Sequence, residues 1–117
     1  MISDNCIFCK IAKREIESKF IYENDNFFSV QDVNPIIKGH SLVISKKHFE
    51  TILDMPDSLG PELLDCIKKT ALKLIDEFKA EGFNLHANTF KVAGQLVNHV
   101  HFHIFPRKEG DGFRPCA

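Results

Sequence analysis

Near its C-terminus the chain alternates strictly between histidine and apolar residues, in His99-Val100-His101-Phe102-His103-Ile104-Phe105. Strand side chains point to opposite faces with period two, so this run predicts a strand with one apolar face and one imidazole face. His99, His101 and His103 would stand on one side, while Val100, Phe102 and Ile104 enter a core. An imidazole titrates near neutrality and can be nucleophile, acid, base or metal ligand. The residues alone leave three readings open: a half-buried strand that merely carries histidine, a bare metal site, or a catalytic row. Three of the six histidines in 117 residues fall on this one face, which is a poor match for accident.

A chain of this length suits one domain with a real hydrophobic core. Its net charge of -1 provides no electrostatic footprint for nucleic acid. The pairs Lys46-Lys47 and Lys68-Lys69 read as solvated faces. No apolar run approaches the ~20 residues that span a bilayer. The opening MISDNCIFCK has no basic segment followed by an apolar stretch, so no secretory signal is expected and the cytoplasm is the expected location. In a reducing compartment Cys6-Ile7-Phe8-Cys9 reads more naturally as half a zinc site than as a disulfide. A redox CxxC needs a preceding strand, and nothing before Cys6 supplies one. Cys66 falls on a helical stripe as a small core residue, and Cys116 is unassigned.

The pattern along the chain predicts a short amphipathic helix over 6–13 and strands over Phe20 to Glu23 and Phe27 to Val33, joined at Asn24-Asp25-Asn26. Ser41 to Ser45 suits a central strand. Leu63, Leu64, Ile67, Ala71, Leu74, Ile75 and Phe78 recur at helical spacing and predict a helix from about Pro61 to Lys79, stopped by Gly82. Phe83 to Thr89 and Val97 to Phe105 complete the strands. Strands do not alternate regularly with helices, which favours an α+β fold with a mainly antiparallel sheet, one long helix and a short N-terminal helix.

The run from His99 to Phe105 matches the histidine-triad pattern, His-φ-His-φ-His-φ-φ with φ apolar, at every position. Cys6-Ile7-Phe8-Cys9, Asp32-Val33-Asn34-Pro35, Lys38-Gly39-His40 and Gly94-Gln95 extend the similarity over nearly the whole chain, 1–117, as a single domain. The chain resembles the histidine-triad (HIT) family, and within it the small bacterial Hint-type nucleotide-binding hydrolases.

That resemblance implies a mechanism. His101 would attack the α-phosphorus of a purine nucleotide, giving a nucleotidyl-histidine that water then hydrolyses. Covalent catalysis of this kind divides one hard displacement into two easier ones. His103 would donate hydrogen bonds to phosphoryl oxygens, and His99 and His40 would orient the others. No Walker loop or acidic metal-binding cluster is visible, so the chemistry is expected to need no cofactor. Positioning then falls to imidazoles, amides and backbone N–H groups, with Asn88, Gly94 and Gln95 as phosphate-side candidates. Gly94 permits close backbone approach, and Gln95 carries two amide donors. The resemblance also places Asp32 on ribose hydroxyls and Ile7, Phe8 and Val33 in a slot for the base, with Val30 divided between slot and core.

Leu96 departs from the family pattern. Many Hint-type relatives have a hydroxyl residue immediately after Gly-Gln that helps protonate the leaving amine, and leucine has no proton to transfer. Either turnover of phosphoramidates is then slower, or the leaving group takes its proton from His99, His103 or water. The chain ends twelve residues after Phe105, and Arg107, Lys108 and Arg114 are candidates to meet a leaving phosphate. Sugar-phosphate transferases of the family carry glutamine for the third histidine and proline after the first. Here His103 and Val100 point to the hydrolase side. Bacterial relatives complete a zinc site with two histidines, which correspond to His48 and His99, so a structural Zn2+ on Cys6, Cys9, His48 and His99 is expected. The family offers no role for His86, which reads as an ordinary strand or surface histidine. The expected partners are an AMP-type purine nucleotide and a second copy of the chain, with neither nucleic acid nor membrane. The alternatives are a dinucleoside polyphosphate hydrolase and a nucleotide-binding or scaffold module with vestigial activity.

Overall fold

The computed structural model describes residues 5–114, and Cys116 lies outside them. Five strands form one antiparallel sheet: β1 (Phe20–Glu23), β2 (Phe27–Gln31), β3 (Ser41–Ser45), β4 (Gly82–His86) and β5 (His101–Arg107), in the order β1-β2-β3-β5-β4. A short helix α1 (Ile7–Ala12) precedes β1, and a long helix α2 (Gly60–Phe78) joins β3 to β4. The expected α+β architecture is therefore the one observed.

The register sorts the side chains onto two faces, and each face has its own cover. Phe27, Val43, Phe102 and Ile104 point to one side, where Cys66, Ile67 and Leu74 of α2 pack on them. Phe28, Val30, Leu42 and Ile44 point to the other and meet Phe8, Cys9 and Ile11 of α1. Covered from both sides, all five residues of β3 are buried. The polar members of this interior are satisfied: Thr70 donates to the Ser29 hydroxyl at 2.7 Å. The β1–β2 turn is closed by Asn24, whose Oδ1 accepts from the Phe27 amide at 2.9 Å. Its Nδ2 donates to the Glu62 carbonyl at 2.9 Å, and Tyr22 donates to Asp65 at 2.5 Å, so the hairpin is tied to α2.

Several boundaries differ from the sequence reading, each for a local reason. The strand expected over Phe27 to Val33 stops at Gln31, because Asp32 turns the chain by accepting from the Asn34 amide at 2.9 Å. The strand expected from Phe83 to Thr89 runs Gly82–His86, and the one expected from Val97 begins at His101. The Val100 amide donates to the Phe49 carbonyl at 2.7 Å, outside the sheet, and this delays entry into β5. The long helix ends at Lys79, which takes the left-handed conformation (φ 54°) usually left to glycine, so Gly82 opens β4 and does not stop the helix. Leu64, on the predicted stripe, is exposed.

One glycine is fixed by its surroundings. Gly39 has φ +87°, and a Cβ there would lie 2.8 Å from Phe78 and 3.0 Å from Pro106. It lets the chain enter β3 tightly against α2 and β5, with His40 next to it.

Candidate active site and metal centre

His101 and His103 point to the same face of β5, their ring centroids 5.0 Å apart. His101 is buried, with Phe8 of α1 edge-on at 5.0 Å. Its Nδ1 donates to the His99 carbonyl at 2.7 Å, so the Nε2 lone pair is left available. His40, at the entry to β3, accepts from the Ile36 amide on Nδ1 at 3.2 Å. Its proton is therefore on Nε2, which donates to His103 Nδ1 at 2.9 Å. His103 must then carry its own proton on Nε2. Backbone groups thus set the tautomers: one imidazole presents a lone pair and its neighbour an N–H, as phosphoryl transfer needs. Burial pushes the His101 and His40 pKa values down, with Asp32 partly opposing this in both, and pushes that of His103 to about 4. Neutral rings near pH 7 follow.

His99 keeps the face that alternation predicts, with Phe8 set edge-on to its ring at 5.8 Å as it is to His101, but it lies outside the paired strand. It precedes β5, and its ring faces the N-terminal segment. Nε2 donates to the Ser45 carbonyl at 2.8 Å, while Nδ1 lies 3.2 Å from Cys6 Sγ and 3.4 Å from Cys9 Sγ. His48 Nδ1 is 3.3 Å from Cys9 Sγ. The four ligand atoms of Cys6, Cys9, His48 and His99 all lie within 4.8 Å of one another. A tetrahedral zinc ion places neighbouring sulfur and nitrogen donors roughly 3.6 Å apart. The donor set fits such an ion, with the His99 ring already oriented by the Ser45 carbonyl. Asp32, His40 and His103 form a second group with ligand atoms within 4.8 Å, which sequence alone does not show. There His40 Nε2 is 3.6 Å from the Asp32 carboxylate.

The other site residues divide. Phe8 and Val30 are buried in the core beneath α1, Ile7 is half exposed and Val33 is open to solvent. Asn88 Nδ2 reaches the Gly94 carbonyl at 3.5 Å, and Gly94 has φ +97°, with Asn88 Nδ2 3.3 Å from where a Cβ would stand. The two amide donors that make Gln95 a candidate for phosphate are engaged by backbone: Nε2 donates to the carbonyls of Glu50, in the segment after β3, at 2.6 Å and of Val97 at 3.0 Å. Oε1 of the same side chain accepts from the Phe90 amide at 2.8 Å, so Gln95 shapes the loop around Gly94. Leu96 is 92% exposed. Arg107, a candidate for a leaving phosphate, is bound at 2.8 Å by both carboxylate oxygens of Asp111 and at 2.6 Å by Asn84, and it also reaches the Phe113 carbonyl. Sequence reasoning passed over the Ile36 amide and the Ser45 carbonyl, which carry no side-chain signal. It also set aside His86, which pairs with His103 across the β4–β5 ladder.

An antiparallel sheet whose C-terminal strand carries tautomer-fixed imidazoles, beside a cysteine–histidine cluster, defines a small histidine-based α+β protein. Residues 13–110 match the family model for the HIT domain. An uncharacterized HIT-like protein of Methanocaldococcus jannaschii is 47% identical over 92% of this chain and 82% of its own. The adenosine 5'-monophosphoramidase HNT1 of Candida albicans is 38% identical over 90% of this chain and 72% of its own. The crystal structure of a HIT family member from Bacillus subtilis superposes with a TM-score of 0.89 at 39% identity, over 97% of this chain and 82% of that one. The chain belongs to the HIT family.

Proposed function

We propose that the protein, as a single HIT domain over 1–117, hydrolyses purine nucleotide derivatives at the α-phosphate, as an adenosine 5'-phosphoramidase does. The observation that carries this reading is the coupled tautomer pair. His101 Nδ1–H is held by the His99 carbonyl at 2.7 Å, and His103 is set as a donor by His40 at 2.9 Å. In the first step the His101 Nε2 lone pair forms a bond to phosphorus as the bond to the leaving group breaks. His103 Nε2–H stabilises the phosphoryl oxygens, a role worth a few kcal/mol. Water then attacks the nucleotidyl-histidine and restores free His101. Asp32 receives the ribose, Ile7, Phe8 and Val33 flank the base, and Asn88, Gly94, Gln95 and Leu96 border the phosphate. The phosphoramidase name of the Candida relative supports the choice of amine leaving group. The engagement of Arg107 by Asp111 weighs against an arginine clamp for a second nucleotide.

Zn2+ on Cys6, Cys9, His48 and His99 is proposed as structural, pinning α1 to the sheet beside the active site. A homodimer is proposed through β4. This edge strand exposes Phe83 and Leu85, and α2 exposes Leu64 and Leu72. Among the described residues no helix is long and apolar enough to cross a membrane, and the cytoplasm is the proposed location.

The test is hydrolysis of adenosine 5'-phosphoramidate and diadenosine tetraphosphate by the wild type and His101→Ala. The expected result is preference for the phosphoramidate, with turnover abolished in the variant. Preference for the dinucleotide would move the protein to the polyphosphate branch. Binding of AMP without cleavage of either would leave a nucleotide-binding module.

A further inference from the structure

The active-site strand has two flanks. On the β3 side stand His40 and Asp32, and Phe8 covers the His101 ring from α1. On the β4 side stand His86, then Asn88 and the loop holding Gly94. His86 is the direct partner of His103 across the antiparallel ladder, so its side chain joins the same face. Its ring is set edge-on to Phe105, with centroids 5.4 Å apart and planes at 89°. Phe105 is itself backed by Phe113 at 5.2 Å.

The other five histidines each have a ring nitrogen committed. His99 is bound to the Ser45 carbonyl, His101 to the His99 carbonyl, His103 to His40, His40 to the Ile36 amide, and His48 faces Cys9. Among the described residues His86 has an apolar contact but no hydrogen-bond partner. It is partly exposed in the single chain, at the C-terminal end of β4. An oriented imidazole with uncommitted nitrogens, on the same face of the sheet as His103, is a candidate to exchange a proton with a departing group. Leu96, almost wholly exposed, has no proton to give.

We propose that His86 is a further catalytic residue, the acid–base group for the leaving amine, on the flank opposite the nucleoside. This rests on the phosphoramidase reading of the same site. As His101 Nε2 bonds to phosphorus and the P–N bond breaks, its electron pair goes to the amine nitrogen, which takes a proton from the His86 imidazolium. His86 is left as neutral imidazole. In the second step it accepts a proton from the water that attacks the nucleotidyl-histidine. His101 regains its lone pair, and His86 is imidazolium again. Phosphoramidate and water become nucleotide and amine, with nothing else consumed.

The experiment compares His86→Gln and His86→Ala with the wild type on two AMP derivatives, an alkylamine phosphoramidate and the p-nitrophenyl ester. The nitrophenolate leaves without a proton, so its release in the first step, read as kcat/KM or as a burst, also reports that the variants are folded. The expected result is a fall in kcat/KM of about 100-fold on the alkylamine substrate, the size of a general-acid contribution, and less than about threefold on the ester. Adding Leu96→Ser to His86→Gln is expected to restore part of the alkylamine rate. Equal losses on both substrates, or no loss on either, would overturn the role of His86 and leave the hydrolase reading standing. A wild type that cleaves neither substrate would overturn both.

Discussion

His103 shows how a single side chain is made useful by what surrounds it. Burial holds its pKa near 4, helped by His101 and His40, against an ordinary value near 6.5 in the unfolded chain. The folded pKa is lowered, so between about pH 6.5 and 4 the unfolded state binds more protons, and stability falls as pH falls through that window. Keeping this one group neutral in the folded state costs up to about 3 kcal/mol of stability by pH 4. His103→Gln, which keeps a donor but does not titrate, is expected to flatten the acid side of the urea-midpoint profile between pH 6.5 and 4. An unchanged profile would remove burial of a neutral His103 from the account of acid stability. At this scale the sequence displayed the chemistry but not its setting. His101, His103 and the Cys6/Cys9/His48/His99 group are all legible as residue types. The carbonyls of His99 and Ser45 and the amide of Ile36, which fix the rings, belong to the backbone and have no letter of their own.

Elements were legible wherever side-chain periodicity and backbone pairing agree. The apolar spacing in α2 buries Ile67, Ala71 and Leu74 as expected. The same reasoning put His99 into β5, because alternation continues through it while the Val100 amide goes to Phe49 instead of a neighbouring strand. Pattern records which way side chains point and is silent about where N–H groups go. The Lys38-Gly39-His40 entry to β3 joins the two kinds of information. Gly39→Ala places a methyl 2.8 Å from Phe78 in a left-handed backbone and is expected to cost about 2–4 kcal/mol. Urea unfolding measures it. Because His40 is the next residue, the surviving folded protein is also expected to show reduced kcat, and a variant with wild-type stability would refute the close approach.

At the scale of the whole molecule, α1 is too short to be stable alone. Phe8, Cys9 and Ile11 and the cysteine–histidine cluster hold it on the sheet. Treatment with a strong chelator is therefore expected to lower Tm by on the order of 10 °C, reversed by added Zn2+. A chelator-insensitive Tm in metal-replete protein would count against a structural ion. The exposed Phe83 and Leu85 on the β4 edge give the second prediction. Sedimentation is expected to find a dimer for the wild type and a monomer for Leu85→Asp. A wild-type monomer would refute pairing through β4. The docking of α1 on the sheet is implied by the Cys6, Cys9, His48 and His99 set, whereas the open β4 edge depends on which strands become neighbours.

The burial of β3 on both faces divides the molecule into a part that evolution must copy and a part it can edit. Any side chain altered between Ser41 and Ser45 meets packed neighbours whichever way it points, so this centre admits few alternatives. Asp32, His86, Asn88 and Leu96 lie at strand ends and on loops, where a new side chain disturbs little packing. A duplicated copy of this gene could thus acquire a different selectivity by changes at those positions, while inheriting the arrangement of His101 and His103 intact.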